Sequence, residues 1–384
     1  MQQARPQIFR TQKDQAKILA LKRRSSTNIV DALEQQLREL FLARHPKLKL
    51  SPEKAKQETA KFLKSKKKKP LEKQGSWVYF KWNRTLVHIL DEDDFFELRT
   101  ARNKNLITKG EQEKLRTFRI GIAGLSVGNS AALVLALEGA ETMRLADFDE
   151  LSLSNLNRIR GSITQLGLNK TIMTARQVYE LNPYAKLELF EKGLHQARDL
   201  KKFVADPPKL DVLVDEIDDV IMKVQLRLKA RKLRIPVLSV ADNGTNSIAD
   251  VERFDLEPKR KLYHGLLQDS KASKLQRDIL SKEKMRMIAD IVGVEYVTSR
   301  MKTSFLEVGN TLYSWPQLGG ASMLSGATLA YLVKKIAFGE NLESGKYDVN
   351  FDRIFENQYD SLTAKQRRNR ENKEFLHKQK ELFS

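Results

Sequence analysis

The chain has no cysteine among its 384 residues. That absence removes disulfides, thiolate zinc sites and any cysteine nucleophile. No apolar run approaches the ~18 residues that a membrane-spanning helix needs. The opening MQQARPQIFR has no apolar stretch of the kind a secretory signal carries, so a cytoplasmic protein is expected. Acidic residues are comparatively few: 69 Lys and Arg stand against 49 Asp and Glu, a formal net charge of +20. Such an excess favours polyanionic neighbours or substrates. No internal repeat is visible. The length allows one large or two medium domains with ample core.

What is present concentrates between Arg119 and Lys170. Ile120 to Ala123 is short and apolar, as a buried parallel strand should be. Gly124 and Gly128 bracket a turn, and the alanine-rich run from Ala131 to Leu137 predicts a helix packed closely on a sheet. Met143 to Ala146 gives the next strand, with Asp147 and Asp149 at its carboxyl end, which is where open parallel sheets bind ligands. A glycine turn lets backbone N–H groups approach phosphates, and a helix N-terminus adds positive potential. Asp147 lies nineteen residues past Gly128, close to the spacing at which an acid holds ribose hydroxyls. Ser126 occupies the position where a middle glycine would help, so the turn by itself does not separate NAD from ATP.

Further motifs follow at fixed intervals. Ser154-Asn155-Leu156-Asn157-Arg158 comes directly after the acidic strand end, Gly167-Leu168-Asn169-Lys170 ends twelve residues beyond Arg158, and Leu181-Asn182-Pro183 closes the next helix. With the glycine turn and Asp147-Phe148-Asp149, these resemble the ThiF/MoeB superfamily, the adenylating enzymes related to ubiquitin-activating enzymes, over roughly residues 99 to 339. The resemblance implies an α/β fold: a Rossmann-like, doubly wound, mostly parallel sheet with helices on both faces. It implies ATP and Mg²⁺ as cofactors. Gly124 and Gly128 would form the nucleotide turn. Arg158 and Lys170 would hold the phosphates, assisted by Arg102 (with Arg99 as its rival), and Asp147 would hold the ribose. Asn155 would orient the phosphates or the attacking oxygen, and Asp149 would support the loop. Asp218, in the second acidic strand end Asp211–Asp219, would bind the magnesium ion. Asp219 stands where the family carries asparagine and adds a negative charge there.

The flanking regions read less sharply. Residues 1–70 hold nineteen Lys and Arg against six Asp and Glu, ending in the run Lys64 to Lys69. This is either a nucleic-acid or membrane-surface patch or a solvated helix face. Helices are expected over 26–44, with Leu33, Leu37 and Leu40 on one face, and over 51–67 behind a Ser-Pro-Glu start. Trp77 to Trp82 and Thr85 to Leu90 predict a hairpin turning at Asn83-Arg84, with His88 structural. Thr108 opens a helix through a Thr-x-x-Glu capping box. Beyond the second acidic strand, a helix over 220–232, a strand over 236–241, a turn at Asp242-Asn243-Gly244 and a strand over 250–255 are expected. His264-Gly265 reads as an ordinary turn or a cleft loop. Helices are expected over 275–292 and 321–338. The organisation expected is a basic α+β accessory region over 1–95, an adenylation domain over 96–340 and a charged helical tail over 341–384.

By resemblance the reaction would activate a carboxylate, on a protein or peptide carboxyl terminus, as its acyl adenylate. Lacking cysteine, the chain resembles adenylation-only, bacterial-type members and could not itself form a thioester. A homodimer with Arg102 acting in cis or in trans is the expected assembly, and a ubiquitin-like or carrier protein the expected partner. Two alternatives stay open: an enzyme like the tRNA threonylcarbamoyladenosine dehydratase, gripping RNA through the basic N-terminus, and a non-catalytic nucleotide-sensing or scaffold protein marked by Ser126 and Asp219. An NAD oxidoreductase would leave Arg158, Lys170 and Asp218 without a role.

Overall fold

Short apolar runs alternating with helices lead the chain into a central sheet. The computed structural model describes residues 3–10, 13–267, 287 and 291–383. Two compact units emerge. The first comprises residues 1–116 with 136–141 and 175–186; the second comprises 117–135, 142–174 and 187–384.

The first unit holds a four-stranded sheet of β1 (Gln7–Arg10), β2 (Asn28–Asp31), β3 (Ser76–Phe80) and β4 (Thr85–Ile89), in the order β1-β3-β4-β2. The predicted hairpin is the antiparallel pair β3–β4, and Arg84 takes φ +55° at its turn. Two apolar clusters form: Phe9, Ile18, Leu21, Trp77, Tyr79 and Leu86 make one, and Leu33, Leu37, Leu40, Leu63 and Leu90 the other. The helix expected over 26–44 is shorter than the sequence suggested. Asn28–Asp31 is a strand paired parallel to β4, and the helix runs Leu33–Arg44. The adjacent β-branched pair Ile29-Val30 favours extended backbone. Asp31 then fixes the join, accepting from the Leu33 amide at 3.4 Å while its Oδ1 lies 2.9 Å from His88 Nδ1. His88 is fully buried, stacks on Trp77 with ring centroids 4.2 Å apart and also meets the Gln74 carbonyl, so its role is structural. The lysine-rich helix is Pro52–Lys66, with proline in the first turn. The Thr108 capping box forms reciprocally, with the Thr108 amide donating to Glu111 Oε2 at 2.8 Å and the Glu111 amide to Thr108 Oγ1 at 3.4 Å.

The second unit is built on a seven-stranded sheet, mostly parallel, with helices around it. Its strands are β5 (Ile120–Ala123), β6 (Thr142–Ala146), β7 (Lys186–Phe190), β8 (Val212–Asp215), β9 (Val237–Asn243), β10 (Asn246–Glu252) and β11 (Gly345–Val349), in the order β11-β10-β9-β8-β5-β6-β7. β5 pairs in parallel with both β6 and β8, and β8 with β9. β9, β10 and β11 then run antiparallel in turn. β11 lies within the region read as a helical tail, ahead of the helix Leu362–Phe383. The strand expected at 250–255 is β10, running Asn246–Glu252 because the Gly244-Thr245 turn joins it directly to β9; Asp242 and Asn243, expected in a turn, are the last residues of β9. Helix Val220–Lys232 falls where the sequence placed it. Helix Gly319–Phe338 packs on β9 and β10. It also crosses helix Val127–Glu138 closely: a Cβ on Gly326 would lie 2.5 Å from Ser130 Cβ. The helix expected over 275–292 falls almost wholly outside the described residues. Among the described residues no helix is long and apolar enough to cross a membrane.

Candidate active site

The carboxyl ends of β5, β6, β8 and β9 bring the site together. β5 delivers Gly124, which adopts φ +88°, a conformation that L side chains resist. Space demands glycine here as well, because a Cβ would sit 2.3 Å from the Glu216 carbonyl oxygen. Gly128 is likewise closed to a side chain, its Cβ position lying 2.8 Å from Ile122 Cγ2. The turn therefore lies directly against the loop that leaves β8.

β6 delivers Asp147. One of its oxygens accepts from the Leu125 amide at 2.6 Å and the other from the Asp149 amide at 2.8 Å. Burial pushes its carboxyl above the usual aspartate range, opposed by Lys170 and these two amides. Asp147 thus ties the glycine turn to the following loop. Asp149 accepts from Lys170 Nζ at 2.8 Å. Lys170 is buried at the start of helix Lys170–Leu181, and Asp149 takes one of its three ammonium donors. Asn155 acts locally: its Oδ1 accepts from the Ser152 amide at 3.1 Å, capping the short 3-10 turn Leu153–Asn155.

Arg158 is half-buried. Its Nε donates to Ser126 Oγ at 3.1 Å, and its Nη1 to Asn157 Oδ1 at 3.0 Å and the Ser154 carbonyl at 3.3 Å. Burial lowers its pKa, while Asp218 and Asp242 act in the opposite sense. Ser126 therefore has a clear role in the glycine turn, as the acceptor that orients Arg158. Asp219 has one too. It is the N-cap of helix Val220–Lys232, its Oδ1 accepting from the Ile221 amide at 2.8 Å and the Met222 amide at 3.0 Å. A carboxylate at a helix N-terminus is favourable, so the extra charge strengthens that helix start.

Beneath this edge Asp215 and Glu252 both bind the buried Arg227, Glu252 at 2.6 Å, with the guanidinium 4.3 Å over the Tyr263 ring. Buried charges are costly unless paired in this way. His264 belongs to the adjoining loop. It takes φ +59°, with its Nδ1 2.8 Å from Arg260 Nη2 and its Nε2 3.2 Å from Asp250 Oδ1.

The structure thus brings together Gly124, Gly128, Asp147, Asp149, Asn155, Arg158, Lys170 and Asp218 at one edge of the sheet. Arg102 is exposed on the 3-10 turn Ala101–Asn103 of the first unit. Sequence reasoning missed the parts played by Ser126, Asn157 and Gln317, and left Asp242 as no more than a turn residue. Only the three-dimensional pairing reveals them, because they lie in four separate segments.

Asp218 is exposed on the loop that follows β8, and its charge acts on Arg158, while the neighbouring Asp219 is committed to its cap. Among the described residues no group of three or more His, Cys, Asp or Glu is arranged to hold a metal. One free carboxylate suits Mg²⁺, which keeps waters and takes phosphate oxygens as its other ligands.

Known proteins match this region. Residues 100–330 match the ThiF family. An uncharacterized protein of Mycobacterium tuberculosis is 41% identical over 282 residues, 73% of this chain and 38% of that protein, so the chain spans well under half of that relative's length. The molybdopterin-synthase adenylyltransferase of Haemophilus influenzae is 30% identical over 199 residues, 50% of this chain and 77% of that enzyme. The tRNA threonylcarbamoyladenosine dehydratase of Bacillus subtilis is 26% identical over 203 residues, 51% of this chain and 79% of that one. With more than half of its length matched by the family and the glycine turn, acidic strand ends, arginine and lysine assembled at one edge, the chain belongs to the ThiF family.

Proposed function

We propose that the chain is an ATP-dependent adenylyltransferase that activates a carboxylate, on a protein or peptide carboxyl terminus, as its acyl adenylate. The observation that carries this reading is Arg158, held by Ser126 of the glycine turn and under the charge of Asp218 from the loop after β8. A guanidinium poised over a phosphate-binding turn suits phosphoryl chemistry and has no use in hydride transfer.

In this reaction a carboxylate oxygen attacks the α-phosphorus of ATP. A new P–O bond forms, the bond to the bridging oxygen breaks, and pyrophosphate leaves. Position and charge neutralisation supply the catalysis. Arg158 and Lys170 hold and neutralise the phosphates, with Arg102 assisting from one subunit or the other of a homodimer. The Gly124–Gly128 turn offers backbone amides, Asp147 holds the ribose, and Asn155 steadies the loop ahead of Arg158. Asp218 would hold magnesium, which would supply further charge neutralisation at the phosphates. The acyl adenylate then passes to an external nucleophile, because the chain has no thiol to receive it.

A second reading, an enzyme acting on RNA, draws on the excess of thirteen positive charges in residues 1–70. It predicts tRNA binding that weakens steeply with salt. The local roles of Ser126 and Asp219 favour an intact site over a degenerate sensor.

The test is substrate-dependent exchange of labelled pyrophosphate into ATP, against small acids, tRNA pools and ubiquitin-like proteins with free carboxyl tails. Exchange with a protein tail, abolished by Arg158→Ala and by Asp218→Ala in folded protein, is the expected result. ATP binding without exchange on any substrate class would overturn it.

A further inference from the structure

We infer that Asp242 is a positioning residue for Arg158, acting through Gln317 and Asn157. The inference rests on the adenylation reading, in which Arg158 holds the phosphates. It adds a second support for that arginine, from a part of the sheet that none of the motifs marks.

The path runs through three hydrogen bonds and through Gln317 itself, whose side chain is held by Asp242 and whose backbone carbonyl holds Asn157. Asp242 lies near the carboxyl end of β9. Its Oδ1 accepts from Ser325 Oγ at 2.7 Å and its Oδ2 from Gln317 Nε2 at 3.2 Å. Ser325 in turn meets Ser247 Oγ at 2.8 Å, anchoring the carboxylate between β10 and helix Gly319–Phe338. The backbone carbonyl of Gln317 accepts from Asn157 Nδ2 at 2.7 Å, and Asn157 Oδ1 accepts from Arg158 Nη1 at 3.0 Å. The Asn157 amide thus uses one end on each neighbour. Flipping it would lose both bonds, so it transmits orientation as well as contact.

Packing supports the same path. A Cβ on Gly319 would lie 2.6 Å from the Asn157 carbonyl oxygen, so the first residue of helix Gly319–Phe338 touches the Arg158 loop at a distance that only glycine permits. Arg158 is consequently held from two sides: Ser126 fixes Nε, and Asn157, at the end of the path from Asp242, holds Nη1 together with the Ser154 carbonyl. Asp242 and Asp218 also face the same guanidinium electrostatically. An arginine pre-set in this way loses less side-chain freedom when phosphate arrives.

Asp242 touches no reacting atom, so its effect should fall on ATP binding. The experiment uses the full chain, with Asn157→Ala, Asp242→Ala, Asp242→Asn and the double variant Asn157→Ala/Asp242→Ala. Calorimetry gives the Kd for ATP with Mg²⁺, pyrophosphate exchange gives KM for ATP and kcat, and thermal unfolding checks the fold. Each alanine single variant is expected to weaken ATP binding by about tenfold, and to raise KM more than it lowers kcat. The double variant should be no worse than the weaker single, because both cut one path. Asp242→Asn keeps an acceptor for Ser325 and lets Gln317 turn its amide, so it should recover most of the loss. Affinities within twofold of the parent, or losses that multiply in the double variant, would overturn the inference. A crystal structure of Asp242→Ala gives a readout independent of nucleotide. Arg158 Nη1 should part from Asn157 Oδ1, and an unmoved Arg158 would refute the positioning role. A parent protein that binds no ATP would instead sink the adenylation reading.

Discussion

Replacing Gly124 by alanine tests the packing of the glycine turn on the loop after β8. Two costs add. At φ +88° an L side chain pays on the order of 1–2 kcal/mol for left-handed backbone. The new Cβ would also stand 2.3 Å from the Glu216 carbonyl oxygen, 2.4 Å from its carbon and 2.8 Å from the Ile217 amide nitrogen. These are backbone atoms, which cannot swing aside, and forced overpacking costs roughly 1–3 kcal/mol. The sum, about 2–5 kcal/mol, is a large share of an ordinary domain's stability. For a unit of this size it lowers the unfolding midpoint by on the order of 10 °C. Gly167→Ala is the control. Gly167 has φ +78° but nothing within 4 Å of its Cβ position, so it pays only the backbone cost, about 1 kcal/mol. Thermal unfolding followed by circular dichroism should separate the two variants by several degrees. ATP affinity should fall in Gly124→Ala alone, because the displaced loop carries Asp218. Equal midpoints would refute the close contact.

Other substitutions probe the remaining features. Asp219→Ala should cost about 1 kcal/mol through loss of the helix cap, whereas Asp219→Asn should cost a few tenths; equal losses in denaturant titration would show that the cap is not the reason for the aspartate. Ser126→Gly removes the acceptor for Arg158 Nε and should weaken ATP binding by about three- to fivefold, despite easing approach to the phosphates; tighter binding by calorimetry would contradict the role given to Ser126. Burial pushes the Glu216 carboxyl up to about 8 from 4.5. The folded protein then holds a proton that the unfolded chain has released, so this residue makes stability fall as pH rises from about 4.5 to about 8. Glu216→Gln should flatten that slope, and an unchanged pH dependence of the unfolding midpoint would refute it.

The sequence made the site's motifs legible because each is a local pattern. The strand ends at Asp147 and Asp218, the glycine turn and the start of the helix at Lys170 are all set by short-range periodicity and turn chemistry, and the structure places them at one edge. The strand Asn28–Asp31 was not legible. Four residues ahead of a strongly amphipathic helix carry too little pattern, and they become a strand only by pairing with β4. Asp219 read as a foreign charge because a motif records residue identities and not hydrogen bonds; its cap on Ile221 and Met222 shows only in space. Asn157, Gln317 and Asp242 were hidden for a related reason. Their meaning lies in contacts across as many as 160 residues of sequence, which periodicity does not reach.

The last strand of the large sheet bears on where the folded module ends. Every residue of β10 is buried, and β11 pairs with it from Ser247 opposite Val349 to Val251 opposite Gly345. Yet the family match stops at residue 330, inside helix Gly319–Phe338. A fragment cut at the limit of the family match would strip β10 of its outer partner and leave Ile248, Ala249 and Val251 along an open, apolar edge. Such an edge templates pairing with other chains. The folded sheet therefore extends past the residues that the family model matches, and residues 345–349 complete it by covering β10.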